Sequence, residues 1–344
     1  MAKLAGKPSE LGYRWPAEWE PHVGTLLSWA HNRESWPDKF KPIPFVYQRL
    51  VETLSQFEPV HIQAAGDALE EAQRMVGHLP NVTLHPIATN DAWARDHGPI
   101  FLQSTAGEQP RAALDWRYNA WGGKYPPWDA DDASAQLLLA DLDIPYFEPG
   151  IILEGGAVEG NGAGVILTTE ECLLNPNRNP TLSRDDMERY LRDYLCAEKV
   201  LWLGRGIVGD DTDGHIDELA RFVAPNRIVA AYEPNPGDEN HEPLAENFAR
   251  LQAMTDQHGK PFEVIKLPMP QPKLVGEQRI PACYCNFYIA NGVVIVPQFD
   301  DPADAGAVEV LRRCFPEREI VPLPALDLVW GLGAYHCITQ QIMA

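Results

Sequence analysis

Val293-Val294-Ile295-Val296, the helix-forming run from Pro302 to Phe315, and Glu319-Ile320-Val321-Pro322-Leu323-Pro324 follow one another as strand, helix and strand. The same order recurs upstream. Gly164-Val165-Ile166-Leu167 leads through Ser183-Arg184-Asp185-Asp186, where Ser183 is expected to cap a helix with acids in its first turn, to Lys199-Val200-Leu201-Trp202-Leu203. Arg227-Ile228-Val229-Ala230-Ala231-Tyr232 leads through residues 243–258 to Phe262-Glu263-Val264-Ile265-Lys266-Leu267. Two fainter copies precede these. One runs from residues 23–27 through 45–57 to 60–63, with an extra helix and strand after it; the other runs from 112–115 through 134–142 to 145–147. Five units at a period of roughly 60 residues predict an α/β fold in which each unit buries its face against the next, as in propellers and solenoids. No Gly/Ser linker or charge block divides the chain, so residues 1–344 are expected to form a single domain.

Composition narrows the partners. The 344 residues carry a formal charge of −21, from 28 basic and 49 acidic side chains, which argues against nucleic acid or an anionic membrane and for a cationic small molecule. With 45% hydrophobic residues the chain can bury a substantial core, yet its apolar stretches are strand-sized, far short of the ~18 residues of a membrane span. Met1-Ala2-Lys3-Leu4 opens no apolar export segment, so the expected compartment is the cytoplasm. Cysteines at 172, 196, 283, 285, 314 and 337 are scattered, and they are expected to be reduced. A homo-oligomer is left open.

Reactive residues fall in phase with the repeat. Asp96, Glu154, His215 and Cys337 each come shortly after the closing strand of a unit, so they are expected to meet at one end of a common axis. Cys337 is the only cysteine in that phase, and a thiolate is the strongest nucleophile a protein carries near neutral pH. If residues 216–223 are extended, His215 and Asp217 leave the same face of a strand, and Asp213 joins them if the strand begins earlier. The competing reading of 209–214 is a solvated turn with capping aspartates. In Arg95-Asp96-His97-Gly98-Pro99 the Gly-Pro turns the chain and holds Asp96 at a loop mouth. The glycines of Glu154-Gly155-Gly156 let backbone approach a ligand or a neighbour while the carboxylate points in. Three carboxylates beside a thiol suppress its ionisation, the wrong direction for an ordinary cysteine hydrolase. A cationic substrate resolves the conflict. A guanidinium presents five N–H donors in a plane that carboxylates match, and its charge offsets theirs. The set therefore describes attack by sulfur on a guanidinium carbon, with a histidine carrying protons.

Trp93-Ala94-Arg95-Asp96-His97-Gly98-Pro99, Glu154-Gly155-Gly156, Thr212-Asp213-Gly214-His215-Ile216-Asp217-Glu218-Leu219 and His336-Cys337-Ile338-Thr339-Gln340-Gln341 together resemble the agmatine deiminases and their bacterial peptidylarginine deiminase relatives. The likeness runs from Arg14-Trp15-Pro16-Ala17-Glu18-Trp19-Glu20 to the last turn. It implies the pentein fold, a five-bladed α/β propeller with the site on its pseudo-fivefold axis, and no metal or organic cofactor. It also implies that agmatine is converted to N-carbamoylputrescine and ammonia through a covalent adduct on Cys337. By position, Asp96 and Asp217 would clamp the guanidinium, His215 would protonate the leaving ammonia and then activate water, and Glu154 would orient His215. Trp93 and Trp121 are candidates to pack on the substrate's methylenes or amine, core packing being the competing reading.

One departure bears on the substrate. The family commonly carries Gly-Gly-Gly-Asn before Ile-His-Cys, where this chain has Gly331-Leu332-Gly333-Ala334-Tyr335-His336-Cys337. Deimination of arginine or arginyl peptides is the alternative within the same chemistry. From other classes come a non-catalytic pentein that binds a macromolecule and a metal hydrolase using His97, His215 and Asp217. Cys283 and Cys285 are read as buried thiols on a strand leading into Asn286-Phe287-Tyr288-Ile289.

Overall fold

Five sheets carry the repeat in the computed structural model, which describes residues 2–105 and 110–344; Met1 and residues 106–109 lie outside the described residues. Three of them share one plan, an antiparallel lead strand followed by a strand–helix–parallel strand crossover. In Tyr288–Ala290, Val293–Gln298 and Glu319–Pro324, the middle strand pairs antiparallel with the first and parallel with the third, and helix Asp304–Cys314 makes the crossover. Val293 to Pro297 are all buried, which explains their unbroken apolar run: a strand covered on both faces has no side to leave polar. The same plan orders Glu159–Gly160, Val165–Thr169 and Lys199–Leu203 around helix Arg184–Tyr194. It also orders Ala220–Ala224, Arg227–Tyr232 and Glu263–Pro268 around helix His241–Ala253. Ser183 caps its helix as expected, in a reciprocal box with Asp186.

The two N-terminal units are the elaborated ones. Ile100–Ser104, Arg111–Leu114 and Tyr146–Phe147 gain Tyr13–Arg14 at their edge. His22–Ser28, Val60–Gln63 and Val82–His85 take their antiparallel partner from the far end of the chain, Thr339–Met343, in the register Thr339↔Leu27 to Ile342↔Gly24. Both ends of the chain thus share one sheet. That pairing fixes the backbone two residues after Cys337. No helix among the described residues is long and apolar enough to cross a membrane.

Three local expectations need correction. Residues 216–223 are not one strand: Ile216–Glu218 is a 3-10 turn and the strand is Ala220–Ala224. The Asp210 carboxylate accepts the N–H groups of Gly214 (3.0 Å) and His215 (3.1 Å), and this curls the chain before the sheet begins. Asp96 lies within a helical turn, Ala94–His97, rather than at an open loop mouth, and Gly98 ends that turn by donating to Ala94 O. Cys283 and Cys285 are buried, but in a turn, where their thiols face the carbonyls of Glu218 and Leu219.

Buried charge joins the units. Arg221, fully inaccessible, donates to Glu159 (3.0 Å), to Glu18 (2.7 Å) and to the carbonyls of Cys285 (3.1 Å) and Phe287 (2.7 Å). Arg221→Met would remove the cation that Glu18 and Glu159 share in the interior, leaving Glu159 with the Phe222 N–H (2.9 Å) and no counter-charge, and is expected to cost about 3–5 kcal/mol of unfolding free energy, read from urea denaturation. An unchanged midpoint would contradict this account of how the units are joined.

Candidate active site

Loops after the five closing strands converge on one point. The turn following Val82–His85 supplies Asp96, and the turn following Tyr146–Phe147 supplies Glu154 and Gly156. The segment after Lys199–Leu203 supplies His215 and Asp217, and the one after Glu319–Pro324 supplies Cys337. The fifth contributor follows Glu263–Pro268 and is Asn286, which the sequence reading passed over. Its side chain is the hub of the site. Asn286 Nδ2 donates to Cys337 Sγ at 3.0 Å and to Glu218 Oε1 at 3.0 Å, while its Oδ1 accepts the backbone N–H groups of Ala334, His336 and Cys337 at 3.0–3.2 Å. The phase that pointed to four residues also pointed here, but the inserted hairpin Lys273–Val275/Gln278–Ile280 lengthens that loop and hides the spacing.

Asp217 lies beside both the thiol and Asn286, whose Nδ2 is 3.4 Å from its Oδ2. Its Oδ2 is 3.7 Å from Cys337 Sγ and 2.7 Å from His336 Nδ1, and its Oδ1 is buried with no partner among the described residues. His336 Nε2 is 2.8 Å from Glu18 Oε2, so a chain of contacts runs from Arg221 to the nucleophile candidate. Glu18 and His336 belong to stretches quoted for the resemblance, yet nothing in their spacing distinguished them. Asp96 Oδ1 accepts from Gly156 N at 2.9 Å and lies 3.7 Å from His215 Nδ1; Asp96 Oδ2 accepts from Trp121 Nε1 at 3.0 Å. A Cβ on Gly156 would come within 2.6 Å of His215 and 2.8 Å of Asp96, which is what the second glycine of Glu-Gly-Gly is for: close approach to neighbours.

The expected orienting contact from Glu154 to His215 is not made as a hydrogen bond among the described residues. Glu154 Oε1 accepts from Arg178 Nε at 2.8 Å, its Oε2 has no partner, and both ring nitrogens of His215 are likewise unpaired among the described residues. Glu154, Cys172 and His215 bring ligand-type atoms within 4.8 Å of one another, as do Glu18, Glu159 and His336, and Asp217, Glu218 and Cys337. The second cluster already holds Arg221. His97 stands apart from His215 and Asp217, hydrogen-bonded to Ser134 (3.0 Å) and Ser28 (3.4 Å), with burial pulling its pKa down to about 4. Asp213 is engaged elsewhere too: it bonds Arg178, Asn177 (2.9 Å) and Lys124 (2.9 Å) and does not line the cavity.

Electrostatics follow the burial. Burial pushes the Cys337 thiol well above its ordinary range, and Asp217, Glu218 and Asp96 push the same way against the Asn286 donor. Burial also lifts Asp96 to about 6, with His215 opposing and Asp217 reinforcing. For His215, burial pulls downward, but Asp96, Cys172 and Asp217 outweigh it and hold the imidazole well above its usual value. Asp217 goes the other way: burial favours its neutral form, and the hydrogen bond and charge of His336 overcome that.

Above the thiol opens a cavity of about 740 Å³ lined by Cys337, Asp96, Trp93 and Trp121. Glu34, Asp91, Asp131 and Asp211 also face it, against Arg33 and Lys124, of which Lys124 is paired with Asp213. Trp93 stacks on Trp36 (5.4 Å between centroids) and meets Trp121 edge-on (6.4 Å), so each ring is both packed and part of the wall. Trp121 is held there by left-handed backbone, φ 54° and ψ 46°.

The profile of the Porphyromonas-type peptidyl-arginine deiminase family matches residues 14–342. The chain belongs to that family. Over 99% of its length it is 37% identical to the agmatine deiminase of Pseudomonas putida, covering 98% of that protein. Among solved structures, the agmatine deiminase of Enterococcus faecalis superposes with a TM-score of 0.93 at 34% identity, with 99% of each chain covered. DDAH from Pseudomonas aeruginosa, at 11% identity and a TM-score of 0.50 over 93% of this chain and 99% of its own, shares the fold alone. These likenesses identify the α/β repeat as the pentein fold.

Asn286→Ala removes the donor to Cys337 Sγ and strands the buried N–H groups of Ala334 and Cys337, while that of His336 keeps the Asn286 carbonyl at 3.2 Å. We expect a loss of about 3 kcal/mol or more in stability and a fall in kcat of at least about tenfold on any guanidine the enzyme turns over. Wild-type thermal stability in this variant would contradict the hub role.

Proposed function

We propose that the protein is a guanidine iminohydrolase that converts agmatine to N-carbamoylputrescine and ammonia, with residues 1–344 acting as one catalytic domain. One observation carries the reading. A buried thiol at the foot of a cavity whose remaining wall is rich in acids lies 3.7 Å from Asp217 Oδ2, and the other oxygen of that carboxylate has no partner among the described residues. Agmatine brings a positive charge to each end of such a cavity. Arginine brings a carboxylate to the acidic wall, and that disfavours it. The full-length likeness to agmatine deiminases supports the same choice. Six unpaired cysteines fit a reducing cytoplasm, the compartment we assign.

The steps follow from the groups present. Asp96 and Asp217 clamp the guanidinium, whose charge offsets the carboxylates that hold the thiol protonated, and the thiol releases its proton to solvent through the open cavity as the cation binds. The sulfur adds to the guanidinium carbon. His215, charged in the free site, passes its proton to the departing nitrogen, the C–N bond breaks and ammonia leaves a thiouronium on Cys337. Now neutral, His215 takes a proton from water, and the hydroxide adds to the same carbon. The C–S bond then breaks, the hydroxyl proton returns to sulfur, and the ureido product departs. Glu154, one oxygen on Arg178 and the other free, keeps His215 turned toward the substrate once its charge changes.

Release of ammonia and ureido product from agmatine, free arginine and an arginyl peptide, measured side by side, tests the assignment; preference for either arginine form would overturn it. Cys337→Ser should lower kcat about a thousandfold or more with the fold intact, whereas Cys196→Ser should leave it unchanged. Protonated Asp96 cannot clamp a cation, so kcat/KM should fall as pH drops through about 6. A profile flat down to about pH 5 would contradict the clamp.

A further inference from the structure

We propose that Leu332 sets which guanidines reach Cys337, by narrowing the cavity against substrates branched at the carbon that bears the far amine. The proposal rests on the reading above, in which the cavity receives an alkylguanidinium.

Leu332 has φ 71° and ψ 19°, the left-handed conformation that favours glycine. Among the described residues, nine other than glycine have positive φ. Five of these are Asp or Asn, which tolerate it, and one is Cys196. The remaining three, Ala120, Trp121 and Leu332, all line the one cavity. Strain of this kind persists where the surroundings impose it and the side chain serves a purpose.

The surroundings are visible on both sides. A Cβ on Gly331 would sit 2.6 Å from the Trp36 ring, and one on Gly333 would sit 2.5 Å from the Trp93 ring and 3.2 Å from Cys337 Sγ. Neither neighbour can carry a side chain. Leu332 N–H donates to Val329 O at 2.9 Å, which closes the preceding 3-10 turn and fixes the backbone. Within this gripped segment, position 332 is where bulk can be carried, and Leu332, partly buried and packed against the core, is one of the residues that line the cavity. Glycine would meet the backbone's demand without strain; what leucine adds is an apolar wall beside the nucleophile. Such a wall, with the two tryptophans, suits a slender polymethylene chain and leaves a carboxamide or peptide branch without room or hydrogen-bond partners.

The test compares agmatine with L-argininamide, a branched guanidine without a carboxylate, so that shape is separated from anionic charge. In Leu332→Gly the ratio of kcat/KM for argininamide over agmatine should rise about tenfold or more relative to wild type. Leu332→Ala should give a smaller rise. Thermal unfolding checks that both variants fold. A ratio within about twofold of wild type in both variants, whatever happens to total activity, overturns the proposal. Agmatine turnover by the wild-type protein is scored separately and tests the function itself. Should it fail, calorimetric binding of the two guanidines to Cys337→Ser, with and without Leu332→Gly, still decides whether Leu332 discriminates by shape.

Discussion

A guanidinium with no access to water is tolerable only if its donors are used, and Arg221 uses them on four partners drawn from separate parts of the chain. Glu159 comes from the lead strand of one sheet, Glu18 from the N-terminal segment, and the two carbonyls from the turn that carries Asn286. Glu18 then meets His336, His336 meets Asp217, and Asp217 stands beside the thiol. The position of the sulfur is therefore set by a buried ionic chain whose far end is a structural arginine. Its loops contribute little regular structure of their own, so this chain and the Asn286 hub supply the rigidity that a strand or long helix would otherwise give.

The same burial creates an unfinished balance of charge. Glu18 is held well below its ordinary range, burial opposing and Arg221, His336 and Arg95 prevailing, so that end of the chain is settled. At the thiol end His215 offsets part of the charge, but among the described residues no guanidinium plays Arg221's part. Glu218, pushed well upward by burial and reinforced by its acidic neighbours, is kept neutral, and Asp96 is lifted toward neutrality as well. A bound guanidinium would occupy there the place that Arg221 occupies deeper in the protein. One chemical group, planar and donor-rich, thus satisfies the carboxylates in both places, built in at one and brought by the substrate at the other.

The repeat was legible because each strand–helix–strand core is apolar for a single reason, coverage on both faces, and runs such as Val293–Gln298 or Arg227–Tyr232 announce it. The antiparallel lead strands were not legible. Glu159–Gly160 and Tyr288–Ala290 are two and three residues long, too short for alternation to appear, and Ala220–Ala224 was merged with the turn before it. In the site, acids and histidines beside glycines stood out because their chemistry is unusual in a turn. Asn286 did not, since an asparagine after a loop is ordinary until its bonds to Cys337, Glu218 and the backbone of residues 334–337 are seen. Asp213 misled for the converse reason: it sits in the right motif, but Arg178 and Lys124 reach it first.

Reactive groups and cavity wall answer to different constraints. Gly156 is enclosed by His215, Asp96 and Asp217 at distances that leave no room for a methyl group, so the chemistry is locked by backbone packing and admits little variation. The wall carries its strain in side-chain-bearing residues at positive φ, Ala120, Trp121 and Leu332, where the backbone alone would be content with glycine. A packed centre fixes what reaction can occur. On the strained rim Trp121 is tied to Asp96 through its Nε1, whereas the Leu332 side chain bonds neither Asp96, Gly156 nor Asn286, and there this fold has freedom to choose what enters.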